Sequence, residues 1–161
     1  LQTVERSDTI SLAALTEEVF CDLDPVAEKH QIRLIQTEGD CTVTGSYILL
    51  YRAVYNLVEN AIKYNVDDGW VRVSIDADHK DFYVTVLEVT DTGIGISPEN
   101  QEKIFDPFYR VDKSRSRAMG GAGLGLALVS EIARQHNGQV KVTQSSKKGS
   151  TIALILPVTI L

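Results

Sequence analysis

A carboxylate at the end of an alternating apolar run, followed at once by two glycines one residue apart, leaves this chain few folds to choose from. Residues 82–90 alternate, with Tyr83, Thr85, Leu87 and Val89 on one side, and deliver Asp91-Thr92-Gly93-Ile94-Gly95-Ile96. Ser97-Pro98-Glu99 then reads as the start of a short helix over about 98–103. A carboxylate at the end of a buried strand can accept a hydrogen bond at the edge of a cavity. Gly93 and Gly95 can take positive φ and let backbone lie against a flat ligand. Taken alone, the stretch also fits a plain strand-to-helix turn closed by an Asx-type bond from Asp91. The rest of the chain bears on that choice, because it supplies three more pieces of one nucleotide site.

At 161 residues the chain has the usual size of one domain, and at 43% hydrophobic and 24% charged its composition is that of an ordinary globular protein. A net charge of −6 argues against a nucleic-acid partner, which a basic surface would serve. No apolar run approaches a membrane span, and the first residues do not read as a signal peptide. Cys21 and Cys41 match no metal spacing and are expected to be reduced, packed thiols of a cytosolic protein. Residues 1–8 read as the middle of a longer sequence, so the chain is expected to be a piece of a larger protein.

Residues 11–30 have helical spacing through Leu12, Leu15, Val19, Leu23 and Val26, with Pro25 expected to kink that helix or end its first half. Short strands are expected at 32–35 and 41–44. Ser46 is a good N-cap for a helix running to about Asn65. Leu50, Val54, Leu57, Val58, Ala61 and Ile62 form its core arc. Asn56, Asn60, Lys63 and Tyr64, at i, i+4, i+7 and i+8, form an adjacent stripe. Asn is a mediocre helix former, so two in one stripe suggest a ligand-facing surface. Their amide oxygens suit a hard cation, and the Lys suits a phosphate. Residues 70–76 alternate as the antiparallel partner of 82–90, with a turn at His79-Lys80-Asp81.

Periodicity then stops. Phe105-Asp106-Pro107-Phe108-Tyr109-Arg110 is aromatic and broken by proline, and 111–119 carries Lys113, Arg115 and Arg117 with little apolar content. Gly120-Gly121-Ala122-Gly123-Leu124-Gly125 follows and opens a helix to about Gln135, with Leu124, Leu128, Val129, Ile132 and Ala133 inward. A segment of this kind is usually a functional loop or lid. Glycines opening a helix present bare N–H groups and the helix dipole to an anion. The pattern is neither the Walker loop nor the dinucleotide fingerprint. Asn137 or Gly138 is placed to cap that helix, and a final hairpin turns at 147–150 and ends at Pro157. His30 and His136 fall near helix C-termini, where partial positive charge is favourable, His79 falls in a turn, and none shows a catalytic signature. A phosphate site, a flat-ligand site at Asp91 and a cation-competent Asn together imply a nucleoside polyphosphate with Mg²⁺.

These residues carry a family resemblance. Asn56-Leu-Val-Glu-Asn60-Ala-Ile-Lys63-Tyr64 resembles the N box of bacterial sensor histidine kinases, and Asp91-Thr-Gly-Ile-Gly-Ile96 their G1 box. Phe105-Asp-Pro-Phe-Tyr-Arg110 resembles the F box, Gly121-Ala-Gly-Leu-Gly-Leu126 the G2 box, and Lys148-Gly-Ser-Thr151 the last glycine element. The ordered set covers nearly the whole chain from about Ile10. It implies the catalytic ATP-binding domain of GHKL (Bergerat) type over 10–161, with 1–9 a remnant of the preceding dimerisation-domain helix or linker. The implied fold is an α+β two-layer sandwich. A mixed, mainly antiparallel sheet is covered on one face by about three helices, and ATP lies under a mobile lid.

The resemblance also implies roles. Asp91 would accept from the adenine amine beside Gly93 and Gly95, with Tyr64 packed on the ring and Ile96 below it. Asn60 would ligate Mg²⁺. Asn56 and Lys63 would face phosphates, reached from the lid side by Tyr109, Arg110 and Lys113. The backbone of Gly121, Ala122, Gly123, Leu124, Gly125 and Leu126 would hold the phosphates, and Thr151 would support the adenine. The implied catalytic set is Asn56, Asn60 and Lys63. The implied partners are the dimerisation domain that bears the phosphoacceptor histidine and, indirectly, a response regulator. The domain would be cytoplasmic and monomeric, in a homodimeric parent anchored in the bacterial membrane. No Ser-His-Glu-like acceptor motif occurs in these residues. Two other readings stay open: a GHKL ATPase, in which a carboxylate would stand where Asn56 is, and a non-catalytic nucleotide sensor. An anti-sigma-type serine kinase would also be expected to carry that carboxylate.

Overall fold

The computed structural model describes residues 8–77, 83–109 and 125–158. In order they form β1 (Asp8–Ser11), α1 (Leu12–Lys29), β2 (Arg33–Gln36), β3 (Thr42–Gly45), α2 (Tyr47–Lys63), β4 (Trp70–Ala77) and β5 (Val84–Asp91). Two short 3₁₀ turns follow, Pro98–Asn100 and Lys103–Phe105, then α3 (Gly125–Gln135), β6 (Gln139–Ser146) and β7 (Gly149–Pro157).

The main sheet has five strands in the order β2-β4-β5-β7-β6, parallel between β2 and β4 and antiparallel elsewhere. Strict alternation on β4 and β5 turns Val71, Val73, Ile75, Thr85, Leu87 and Val89 inward. Ile152, Leu154 and Leu156 continue that face on β7, and the apolar arcs of α1, α2 and α3 cover it. The result is the α+β two-layer sandwich with a mixed, mainly antiparallel sheet. A separate two-stranded sheet pairs β1 with β3, Asp8 lying opposite Gly45 and Thr9 opposite Thr44.

Helix caps account for the boundaries. Ser11 Oγ accepts the Ala14 N–H at 3.2 Å, and Asp40 accepts from both Ser11 Oγ (2.7 Å) and the Ala13 N–H (2.9 Å). At α2 the expected cap is present, Ser46 Oγ accepting from Leu49 N–H at 3.3 Å. Asp8 adds a carboxylate on the Tyr47 N–H at 3.1 Å. Asn137 takes the left-handed cap after α3, at φ 59.

Several expectations change. Helix α1 runs through the exposed Pro25 to Lys29 and does not end in its first half. The helix expected near Pro98 is the pair of 3₁₀ turns, because Ser97 Oγ accepts from Asn100 Nδ2 and caps no backbone N–H. Tyr83 precedes β5 and is exposed. Cys21 is exposed and Cys41 half-buried, so Cys21 is not a packed thiol. The turn expected at 79–81 lies outside the described residues.

His136 is the largest change. It is buried, and its Nε2 accepts the Ser46 N–H at 3.1 Å, so Nδ1 carries the proton and donates to Ile132 O at 2.8 Å. The ring ties the end of α3 to the start of α2, and Gly45 makes room for it, since a Cβ there would overlap its Cδ2 and Nε2. Gly45→Ala is therefore expected to destabilise the chain by about 2–4 kcal/mol through overpacking and a lost hydrogen bond. Urea unfolding checks this, and a change below about 0.5 kcal/mol would show the ring to be dispensable.

Candidate functional site

Asp91 is the one carboxylate among the inward positions of β5. Its Cα partners are Val71 on β4 and Ser150 on β7. Oδ1 accepts the Gly93 N–H at 2.8 Å and the Ser150 N–H at 3.3 Å, and Oδ2 accepts the Ser150 hydroxyl at 3.3 Å. Burial pushes the Asp91 carboxyl above the ordinary carboxylate value. The Gly93 and Ser150 N–H groups and the Ser150 hydroxyl oppose that rise. The Asx-type bond foreseen from sequence is present, but it uses one oxygen and leaves Oδ2 with acceptor capacity.

The two glycines of the loop serve different ends. Gly95 has φ 79, whereas Gly93 is required by close approach: a Cβ there would stand 2.5 Å from Tyr64 O and 2.9 Å from Asp91 Oδ1. Tyr64 O also accepts the Ile94 N–H at 3.3 Å. The end of α2 is thereby stitched to the loop, which brings Tyr64, Asp91 and Gly93 together. Asn65 fixes the stitch from below. Its Oδ1 accepts the Val66 N–H and the Thr92 hydroxyl, both at 2.8 Å, and Nδ2 donates to Trp70 O at 3.0 Å. Thr92 Oγ1 accepts the Trp70 N–H at 2.9 Å.

Along α2, Asn56, Asn60, Lys63 and Tyr64 are all half-buried, beside the fully buried arc of Leu50, Val54, Leu57, Val58, Ala61 and Ile62. Asn56 Nδ2 donates to Gly125 O at 3.4 Å, so the stripe reaches the first residue of α3. Lys63 Nζ lies 3.7 Å from Glu59. Ile96 and Leu126 pack partly on the core. The Tyr109 hydroxyl meets Asn100 Oδ1, and Phe108 before it is exposed at φ 65. Arg110, Lys113, Gly121, Ala122, Gly123 and Leu124 lie outside the described residues, as does the body of the expected lid.

Thr151 is placed on the other side of the sheet from Asp91, its Oγ1 3.0 Å from that of Thr90. The residue that reaches Asp91 is Ser150, which sequence placed in a turn and in the last glycine element without giving it a role. The available signal was phase. Ser150 falls two residues before Ile152, Leu154 and Leu156, on the core face, where a serine calls for a partner.

The geometry thus sets a partly satisfied, half-buried carboxylate, a backbone surface cleared of side chains, and an amide-rich helical stripe around the start of α3. The model of the family described as histidine kinase-, DNA gyrase B- and HSP90-like ATPases matches residues 45–160. The chain belongs to this family.

Curated relatives within the family include the sensor histidine kinase RppB of Synechocystis sp., 39% identical over 144 residues. That alignment covers 89% of this chain and 31% of RppB. Among solved structures, the mycobacterial sensor histidine kinase MprB superposes with a TM-score of 0.79 at 26% identity, covering 96% of this chain and 99% of that one. Full-length ShkA, solved in complex with AMPPNP, superposes with a TM-score of 0.83 at 24% identity, covering 99% of this chain and 33% of ShkA. The chain therefore spans about a third of the length of RppB and of ShkA.

The raised Asp91 pKa carries a sign. The folded state binds the proton more tightly than the unfolded state, so the wild type loses stability as pH rises from the ordinary carboxylate value through the raised one. Asp91→Asn removes that dependence. Without nucleotide the variant is expected to be as stable as wild type below that window and at least as stable at pH 7. With the base donating to this carboxylate, as the resemblance implies, the variant should lose ATP binding at every pH, because an amide donor would oppose that donor. Thermal unfolding against pH and calorimetric titration check the two halves. Wild-type affinity in the variant would remove Asp91 from the site.

Proposed function

We propose that this chain is the ATP-binding catalytic domain of a sensor histidine kinase, which binds Mg²⁺-ATP and donates the γ-phosphoryl to a histidine on a separate dimerisation domain. The observation that carries the reading is the Asp91 carboxylate, with Oδ2 open to a further donor, beside backbone cleared at Gly93 and stitched to Tyr64. The adenine amine would donate to Oδ2, with Tyr64 and Ile96 on the faces of the ring. Ser150 would orient the carboxylate. Asn56, Lys63 and the glycines that lead into α3 would lie along the phosphates.

The donor set suits Mg²⁺. This ion takes hard oxygen ligands, keeps several waters and relies on substrate phosphates more than on a protein cage. Asn60 offers an amide oxygen on the stripe, and the described residues hold no group of three or more His, Cys, Asp or Glu that would form such a cage. Asn60→Ala is expected to weaken Mg²⁺-ATP binding by roughly tenfold while leaving Mg²⁺-free ATP nearly unchanged. Equal losses in calorimetry with and without Mg²⁺ would reduce Asn60 to a structural residue.

Phosphoryl transfer is mostly positioning and electrostatics, and it needs the acceptor held in line. The histidines of the described residues are not placed to accept. His136 is buried between α2 and α3, and His30 caps α1. The hydrolytic alternative needs a base one turn before Asn60, and Asn56 cannot take a proton from water. Glu59 faces Lys63 instead. Alone with γ-labelled ATP, the chain is expected to bind nucleotide but neither label itself nor release phosphate quickly. Mixed with a dimerisation domain of its parent kinase, it should label that domain's histidine with an acid-labile, alkali-stable bond. Rapid phosphate release by the chain alone would favour the ATPase reading, and stable self-labelling would show that the acceptor is in this chain.

A further inference from the structure

Opposite Asp91 and Ser150 stands a third polar residue in the same rung of the sheet: Ser145 of β6 is the Cα partner of Ser150. It reaches that position through an irregularity in β6. Val142 pairs with Ile152 and Gln144 with Thr151, leaving Thr143 as an extra residue. Without the bulge Gln144 would oppose Ser150, and Ser145 would oppose Gly149 on the other face. Thr143 Oγ1 donates to Thr151 O at 3.4 Å across the bulge.

The shifted phase has a consequence for the loop after Asp91. Ser145 Oγ accepts the Ile96 N–H at 2.7 Å, while Gln101 Nε2 donates to Ile96 O at 3.1 Å. Both polar groups of Ile96 are thus held by side chains from outside the loop. Backbone contact adds to the hold. A Cβ on Gly95 would overlap Ser146 O, and one on Gly149, at φ 136, would overlap Asp91 O.

We infer that Ser145 is a positioning residue of the nucleotide site, brought onto the site's face by the bulge at Thr143 and holding the far end of the 91–96 loop through the Ile96 N–H. The inference rests on the proposed seat of adenine between Asp91 and Ile96 and adds a residue to it that touches no nucleotide. The near end of the loop is already fixed by the Gly93 N–H on Asp91 and the Ile94 N–H on Tyr64 O. Ile94 itself is exposed, so the loop buries little between its ends. Its far end depends on the Ile96 clamp for preorganisation, a property that sets affinity more than stability.

The test compares Ser145→Ala and Ser145→Thr with the wild-type chain. Calorimetry measures ATP and ADP affinity, thermal unfolding is followed without nucleotide, and NMR reads hydrogen exchange at the Ile96 amide. Ser145→Ala is expected to raise Kd for ATP and ADP alike by about 3- to 10-fold. Its nucleotide-free Tm should stay within about 2 °C of wild type, with faster Ile96 exchange. Ser145→Thr keeps the hydroxyl and should restore both readouts. Wild-type affinity in Ser145→Ala, or a loss that tracks a lowered Tm and is not restored by Thr, would overturn the inference while leaving the ATP-binding reading intact. A wild-type chain that binds neither nucleotide would overturn both.

Discussion

Keeping a half-buried carboxylate at the end of a central strand is costly, and much of the structure around Asp91 follows from meeting that cost without closing the group off. A strand side chain in this position would ordinarily be apolar, as Leu87 and Val89 lead one to expect going along β5. Instead the rung carries Asp91 and Ser150, with donors from Gly93 and Ser150 on the carboxylate. The raised pKa shows that these bonds only partly offset desolvation. A group held in this condition gains from one more donor, and a ligand can supply it. Close packing of backbone on backbone makes the arrangement rigid, which is why Gly93 and Gly149 stand where a Cβ would strike Tyr64 O or Asp91 O.

The sequence made the helices and the ends of the site legible, and the cross-strand contacts illegible. Helix α2 could be read because Ser46 caps it and its apolar arc is continuous; all six predicted core residues are buried. The Asp91–Ile96 loop could be read because three other stretches of the chain point to the same nucleotide site. Strand β3 was expected within one residue of its place, but β1, four residues long, was not, and its pairing with β3 is long-range. Ser150 could have been phased from Ile152, Leu154 and Leu156, but that it meets Asp91 depends on the β5–β7 register, which the sequence does not carry. Ser145 was invisible for a stronger reason: the bulge at Thr143 reverses the phase of β6, and period-two reasoning would have set it on the wrong face. His136 was read as a helix-end charge, when its partner is a backbone N–H ninety residues away.

The polar contacts that sequence could not show are also the ones that fix α3 against α2. At one end Asn56 Nδ2 reaches Gly125 O, and at the other His136 Nε2 receives the Ser46 N–H. Between them Val129, Ile132 and Ala133 pack into the core with the arc of α2. A helix tied at both ends and along its length cannot slide without breaking one tie, so the start of α3 is held in a set place relative to the α2 stripe. Asn56 has a particular part in this. Its amide donates to the carbonyl of the residue that opens α3, and the same amide has no proton-accepting use toward water. A carboxylate in its place would repel that carbonyl and would furnish a base. In the proposed function one residue type at one helical position would join two requirements: the start of α3 stays beside the stripe, and water near a bound γ-phosphoryl would find no base there to activate it, so that a presented histidine is the favoured acceptor.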